Sequence, residues 1–331
     1  MKRSVPLIFF LLAVTVSVTP AQTPRSVGDY FHRGIARFAR GDMDGAIADY
    51  DRVIESDPRA VLDAADDSDV RSARAGLSEV IVNRGRSLAV IPLVAAACHN
   101  RGLARQFKGD LDGAIADFGR AIELAPRLAE SYFGRGSVFY SKGEMDQAIA
   151  DFNRAIEIHP EYATAYVNRG SARKARGEMD GAFADYDRAI HLNPRLAMAW
   201  NNRGVIECDR ADYDQAIADY DNAIRLDPHL AEAWNNRGVA RQAKGDLSHS
   251  LADYNRALAI NPHFALAHQN RGLLRLLQGQ DAEAEKDFAV YLAAKAEMKP
   301  VLEELIRAAK SQRARQPAQF NNNYRTGEQE R

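Results

Sequence analysis

The chain has 331 residues, 44 of them basic and 45 acidic, for a formal net charge of −1. So even a balance leaves no electrostatic footprint for nucleic acid. The two cysteines, Cys98 and Cys208, invite a disulfide only if the fold brings them within about 7 Å between Cα atoms.

From the N-terminus, Met1-Lys2-Arg3 is a short basic start, Val5 to Val18 an apolar run, and Thr19-Pro20-Ala21 a set of small residues suited to cleavage. These are the proportions of a secretory signal peptide over residues 1–21, cut near Ala21, which implies a periplasmic or secreted mature chain. The run is short against the roughly 20 residues of a membrane span, so no stable span is expected after cleavage. No cysteine follows the run to carry a lipid.

Beyond this leader, proline falls at 24, 58, 92, 126, 160, 194, 228 and 262, an unbroken interval of 34. A fixed period of this length marks a repeat solenoid, and each proline stops a helix because it has no N–H to continue one. Eight units follow, 27–60, 61–94, 95–128, 129–162, 163–196, 197–230, 231–264 and 265–298.

The unit at 197–230 reads as two helices. Ala197, Trp200, Gly204 and Val205 give the first an apolar or small face. Ala211-Asp212 interrupts it where sister units place Gly41, Gly109, Gly143, Gly177, Gly245 and Gly279. Glycine tolerates the left-handed conformation that closes a helix. Asp214 is the expected N-cap of the second helix, with Ala216, Ile217, Tyr220, Ala223 and Ile224 as its buried stripe. Gly204 and Ala216 are small enough to let the helices approach closely.

Unit 61–94 departs from this template. Asp63, Asp66, Asp67 and Asp69 overwrite its first helix and Ser68 stands where glycine is expected. The sequence leaves open whether this unit folds, and the acidic run has the spacing of no calcium loop. After the last unit, residues 299–315 read as a capping helix carried by Val301, Leu302, Leu305 and Ile306. The polar residues 316–331 read as a disordered tail.

Trp200, Gly204, Ala216, Tyr220, Ala223 and Pro228 resemble the tetratricopeptide repeat, in its bacterial form, over roughly Val27 to Met298. The resemblance implies an all-α, right-handed superhelical solenoid of helix-turn-helix units with a C-terminal capping helix. It further implies that the first helices line a concave face, where some members hold an extended peptide on a ladder of asparagines. The matching places here are Asn100, Asn168, Asn202, Asn236 and Asn270, with a second amide at Asn201 and Asn235. An asparagine amide offers both donors and an acceptor to a peptide backbone. Units one, two and four break the ladder with His32, Asp66 and Gly134, and Phe107, Phe133 and Tyr140 offer an aromatic patch near the middle. The family's cationic clamp for a C-terminal carboxylate finds only Lys174 on that face.

Seven units carry arginine at their seventh place and aspartate sixteen residues later, among them Arg169 with Asp185, Arg203 with Asp219 and Arg237 with Asp253. Unit two has lost both, with Asp67 and Asn83. Joint presence and joint loss point to an ion-pair ladder that serves structure, since a buried guanidinium without its partner is costly. Cys98 and Cys208 fall three units apart, too far to bridge.

Catalysis finds no support. The recurring His159, His191, His229 and His263 are spread along the repeats, and there is no phosphate loop and no metal-binding spacing. The expectation is a cofactor-free, metal-free exported scaffold, not an enzyme, that binds protein or peptide partners on its concave face. The alternatives are a structural assembly protein acting through its convex face and ends, or a module associated with cell-wall glycan. The partner and the oligomeric state are not legible.

Overall fold

The computed structural model of the protein describes residues 26–56 and 90–315. The expected signal peptide at 1–21, most of unit 61–94 and the expected tail at 316–331 therefore lie outside the described residues. Among the described residues there are fifteen α-helices, one short 3₁₀ turn and no strand.

The helices follow one another as α1 (Val27–Ala39), α2 (Met43–Ile54), α3 (Val90–Lys108), α4 (Leu111–Leu124), α5 (Ala129–Lys142), α6 (Met145–Ile158), α7 (Ala163–Ala175) and α8 (Met179–Leu192). Then come α9 (Ala197–Asp209), α10 (Tyr213–Leu226), α11 (Ala231–Ala243), α12 (Leu247–Ile260), α13 (Ala265–Leu277), α14 (Asp281–Ala294) and α15 (Lys299–Arg315). The chain divides into two compact units, 1–185 and 186–331, with the division inside α8.

In the first unit, α1 and α2, α3 and α4, and α5 and α6 form antiparallel pairs joined by tight turns. Phe31, Tyr50, Leu103 and Phe118 fill one buried cluster, and Phe133, Phe152 and Tyr162 fill another. The pair α1–α2 packs directly on α3. In the second unit the pairs are α9–α10, α11–α12 and α13–α14. Tyr220 lies between Ala216 and Ala240, and Leu274, Leu276, Phe288 and Tyr291 form the last cluster.

Close approach within a pair depends on the small residues. A Cβ on Gly204 would stand 2.9 Å from the Tyr220 ring and 3.2 Å from the Ala216 carbonyl oxygen. The turn that follows is left-handed at Ala211, with φ +62°, where six sister turns use glycine.

That turn corrects the expected cap. Asp212, not Asp214, is the N-cap of α10, and its side chain accepts from the Gln215 N–H at 3.3 Å. The left-handed residue turns the chain one step before the helix, so the carboxylate at 212 meets the unsatisfied N–H groups. Asp42, Asp110 and Asp246 do the same for α2, α4 and α12. Asp214 instead pairs with Lys244 of the next repeat.

At the C-terminus, α15 covers α13. Leu302 and Ala309 are its buried residues, whereas Val301 and Leu305 are exposed. Arg313 pins the helix by donating to the Leu276 carbonyl at 2.8 Å and to Asp281 at 2.7 Å.

Candidate functional site

Among the described residues, each first helix from α1 to α13 presents its arginine toward the second helix of its own pair. Arg203 holds Asp219 with two hydrogen bonds, Nε and a terminal nitrogen each at 2.8 Å. Arg237 holds Asp253 at 3.0 and 2.6 Å, and Arg169 holds Asp185 at 3.0 and 2.6 Å. The aspartates are buried. A planar fork meeting a carboxylate in this bidentate way is the strong form of the pair. The aromatic three places earlier covers the guanidinium, with Trp200 5.0 Å from Arg203 and Trp234 4.7 Å from Arg237.

In Arg169, Arg203, Arg237 and Arg271 the third nitrogen leaves its own repeat. It reaches Asp187 from Arg203 (2.6 Å), Asp221 from Arg237 (2.5 Å), Asn153 from Arg169 (2.7 Å) and Asn255 from Arg271 (2.8 Å). In each case the acceptor lies two residues after the aspartate of the preceding repeat. One arginine thus ties together the two helices of its own unit and the unit before. Arg135 is different: Gly119 stands in the acceptor's place, and a Cβ there would be 3.8 Å from the guanidinium.

A second tier went unnoticed in the sequence. Four residues after the first arginine, Arg37, Arg105, Arg173, Arg241 and Arg275 donate to the same aspartates at 2.8–3.0 Å. The signal was present as Arg-x-x-x-Arg. Two units lack it, with Phe139 and Glu207 in that place. Burial, and then the charge of Asp219, push the Glu207 carboxyl up to about 7, and its Oε2 is buried without a hydrogen-bond partner.

In the second unit the asparagines join each other. Asn201 donates to Asn202 (3.1 Å), Asn236 to Asn201 (3.0 Å), Asn235 to Asn236 (3.2 Å) and Asn270 to Asn235 (2.9 Å). The result is a continuous relay of five amides across α9, α11 and α13. Asn201 and Asn235 are buried, whereas Asn202, Asn236 and Asn270 are half-buried. The inner pair therefore spend their amides on neighbouring repeats, and the outer three keep hydrogen-bonding capacity toward solvent. Sequence alone did not separate the two positions.

The remaining candidates belong to the first unit. Asn100 is buried at 1% exposure, and Asn168 donates weakly to Ser137 Oγ at 3.4 Å. Phe133 is buried against Phe152 and Tyr162, with centroids at 5.8 and 5.0 Å. Tyr140 packs at the edge of the same cluster. Phe107 is exposed and sits edge-on to Phe38 at 5.4 Å. These residues do not form one aromatic patch, since Phe133 belongs to the core and Phe107 packs against α1.

Both cysteines are free thiols, Cys98 buried and Cys208 half-buried. Burial pushes the Cys98 thiol up to about 11, which leaves it unreactive at neutral pH. Among the described residues no cluster of His, Cys, Asp or Glu could hold a metal, and no helix is long and apolar enough to cross a membrane.

Family models described as TPR repeat match residues 102–143, 136–175 and 204–245, and models described as tetratricopeptide repeat match 231–264 and 30–60. No curated protein matches the sequence. Among solved structures, a tetratricopeptide repeat protein from Parabacteroides merdae is 20% identical, covers 86% of this chain and 99% of its own, and superposes with a TM-score of 0.57. The APC/C hetero-tetramer Cut9–Hcn1 is 18% identical over 85% of this chain and 55% of that one, with a TM-score of 0.58. MamA is 27% identical over 49% of this chain and 94% of its own, with a TM-score of 0.44. With its paired helices, its 34-residue period and these matches, the chain is built of tetratricopeptide repeats.

Proposed function

We propose that the protein is an exported scaffold that captures a protein or peptide segment along the face formed by its first helices. The observation that carries this reading is the amide relay. Asn202 keeps its amino group, Asn236 one N–H, and Asn270 its carbonyl oxygen beyond the bonds they make to each other. Three adjacent repeats thus present donors and an acceptor in a row, which suits the main chain of an extended segment. Export rests on the N-terminal residues 1–21, with their basic start and short apolar run.

The test is capture from envelope extract by the mature chain and by an Asn202→Ala/Asn236→Ala form of equal helicity. Partners retained by the parent and lost by the double variant are expected. Identical partners for both would move the binding surface away from the relay.

A further inference from the structure

On α9, α11 and α13 the outer amides Asn202, Asn236 and Asn270 are flanked by two further rows. Three residues on stand Val205, Val239 and Leu273, and four residues back stand Met198, Glu232 and Leu266. Neighbours three and four apart share one face of a helix. The bonds Asn236–Asn201 and Asn270–Asn235 hold the three helices side by side, so the rows border the amide strip on both edges. Beyond Leu273, the next turn of α13 is covered: Leu276 and Leu277 lie in one buried cluster with Leu302 and Ala309 of α15.

The flanking rows are apolar and open to water. Leu266 is 52% exposed and Val239 37%, while Met198, Val205 and Leu273 are half-buried. In a chain with 27% charged residues, Glu232 is the one charged side chain of these three rows. It is exposed, and among the described residues no cation pairs with it. Apolar side chains left in water gain free energy from a guest that covers them, and a lone carboxylate in their midst favours a cation.

Resting on the reading that this face captures a segment, we propose that its guest is an extended, apolar stretch with one basic residue at its centre, set opposite Glu232. Successive side chains of an extended chain point to opposite sides. With the main chain on the amides, one set meets Val205, Val239 and Leu273. The other set meets Met198 and Leu266, with the basic residue between them at Glu232. Helices packed side by side lie about 8–10 Å apart and an extended residue spans about 3.3 Å, so crossing the three takes about six residues. An acidic stretch is rejected, because Glu232 repels it and no lysine or arginine of the rows receives it.

The experiment is calorimetric titration of the full chain with the acetylated, amidated nonapeptide Ser-Thr-Leu-Val-Lys-Val-Leu-Thr-Ser. A Kd on the order of 10–100 µM is expected, weakened about tenfold when glutamate replaces the lysine of the peptide. Leu266→Ser and Val239→Ser should each weaken the lysine peptide by about tenfold, since each removes apolar surface that only the complex buries. Both side chains are exposed, so the fold tolerates the change. Glu232→Gln should abolish the preference for lysine over glutamate. No binding of the nonapeptide, equal affinity for its two forms, or parent-like affinity in both serine variants would overturn the inference. Failure of the capture reading looks different. The nonapeptide then binds the Asn202→Ala/Asn236→Ala form as tightly as the parent while the serine variants still weaken it, which upholds the guest class and overturns the role of the amides alone.

Discussion

Glu207 occupies a place that five sister repeats give to an arginine, and it faces the aspartate that arginine would hold. Asp219 is left with one guanidinium, while Asp253 and Asp287 have two. Burial first, and the like charge of Asp219 second, raise Glu207 to about 7. An unfolded glutamate titrates near 4.3. The folded chain thus holds this proton more tightly than the unfolded chain. The resulting stability is fully present below about pH 4.3 and is lost as pH rises through about 7. The thermal midpoint of the parent, measured against that of Glu207→Gln, should therefore fall between pH 5 and pH 7. Glu207→Arg should complete the second tier and raise stability by about 1–2 kcal/mol at neutral pH, read by urea unfolding. The sixteen-residue spacing of Arg203 and Asp219 is plain in the sequence, and in the structure the two are in contact. The exceptional role of Glu207 is not legible, because it arises only when a carboxylate is set beside another in a half-buried site. The burial of Asn201 and Asn235 beside half-buried Asn202 and Asn236 depends likewise on a rotation of one residue about the helix axis.

At the scale of the element, proline, glycine and the apolar stripe locate the described pairs, because chain stops and helical periodicity are local properties; α3 is the exception, since it begins at Val90 and carries Pro92 in its first turn, where a helix needs no N–H from it. The cap of α10 is displaced by two residues from its sequence reading because one left-handed residue fixes where the helix begins. Ala211 adopts that conformation at φ +62°, at a steric cost that glycine does not bear. Ala211→Gly should stabilise the protein by about 0.5–1 kcal/mol, the relief of strain exceeding the added freedom of the unfolded chain. An unchanged or lower urea midpoint would show that the turn accommodates Ala without strain. The capping helix teaches the same lesson: Leu302 and Ala309 meet α13, whereas Val301 and Leu305 point away, since only one stripe of a terminal helix has a neighbour.

At the scale of the molecule, the links between repeats reveal which units are neighbours. Arg101 donates to Asp51 at 2.5 Å and Lys108 pairs with Asp44, the same links that Arg203 makes to Asp187 and Lys244 to Asp214. In the latter cases the partners belong to consecutive units; in the former a whole 34-residue period lies between them. Deleting 61–94 would join Ala60 to Ala95 and leave Asp57-Pro58-Arg59-Ala60 as a linker of the same form as Asn193-Pro194-Arg195-Leu196. The shortened chain should keep the ellipticity per residue and the shape of the parent's melting profile, losing about 1.5–3 kcal/mol with the buried Leu93. A melt broader than the parent's would show that 61–94 carries part of the fold.

The arginine that meets Gly119 has a consequence for how the first unit comes apart. Stability in a repeat array is a sum of unit terms and nearest-neighbour couplings, as in a one-dimensional lattice of spins. The guanidinium cross-link supplies part of each coupling, and between the helices carrying Gly119 and Arg135 that part is missing. A boundary between ordered and melted repeats costs least to place at the weakest bond. The junction of α4 and α5 is therefore where such a domain wall settles, and the repeats on either side respond to denaturant as separate blocks.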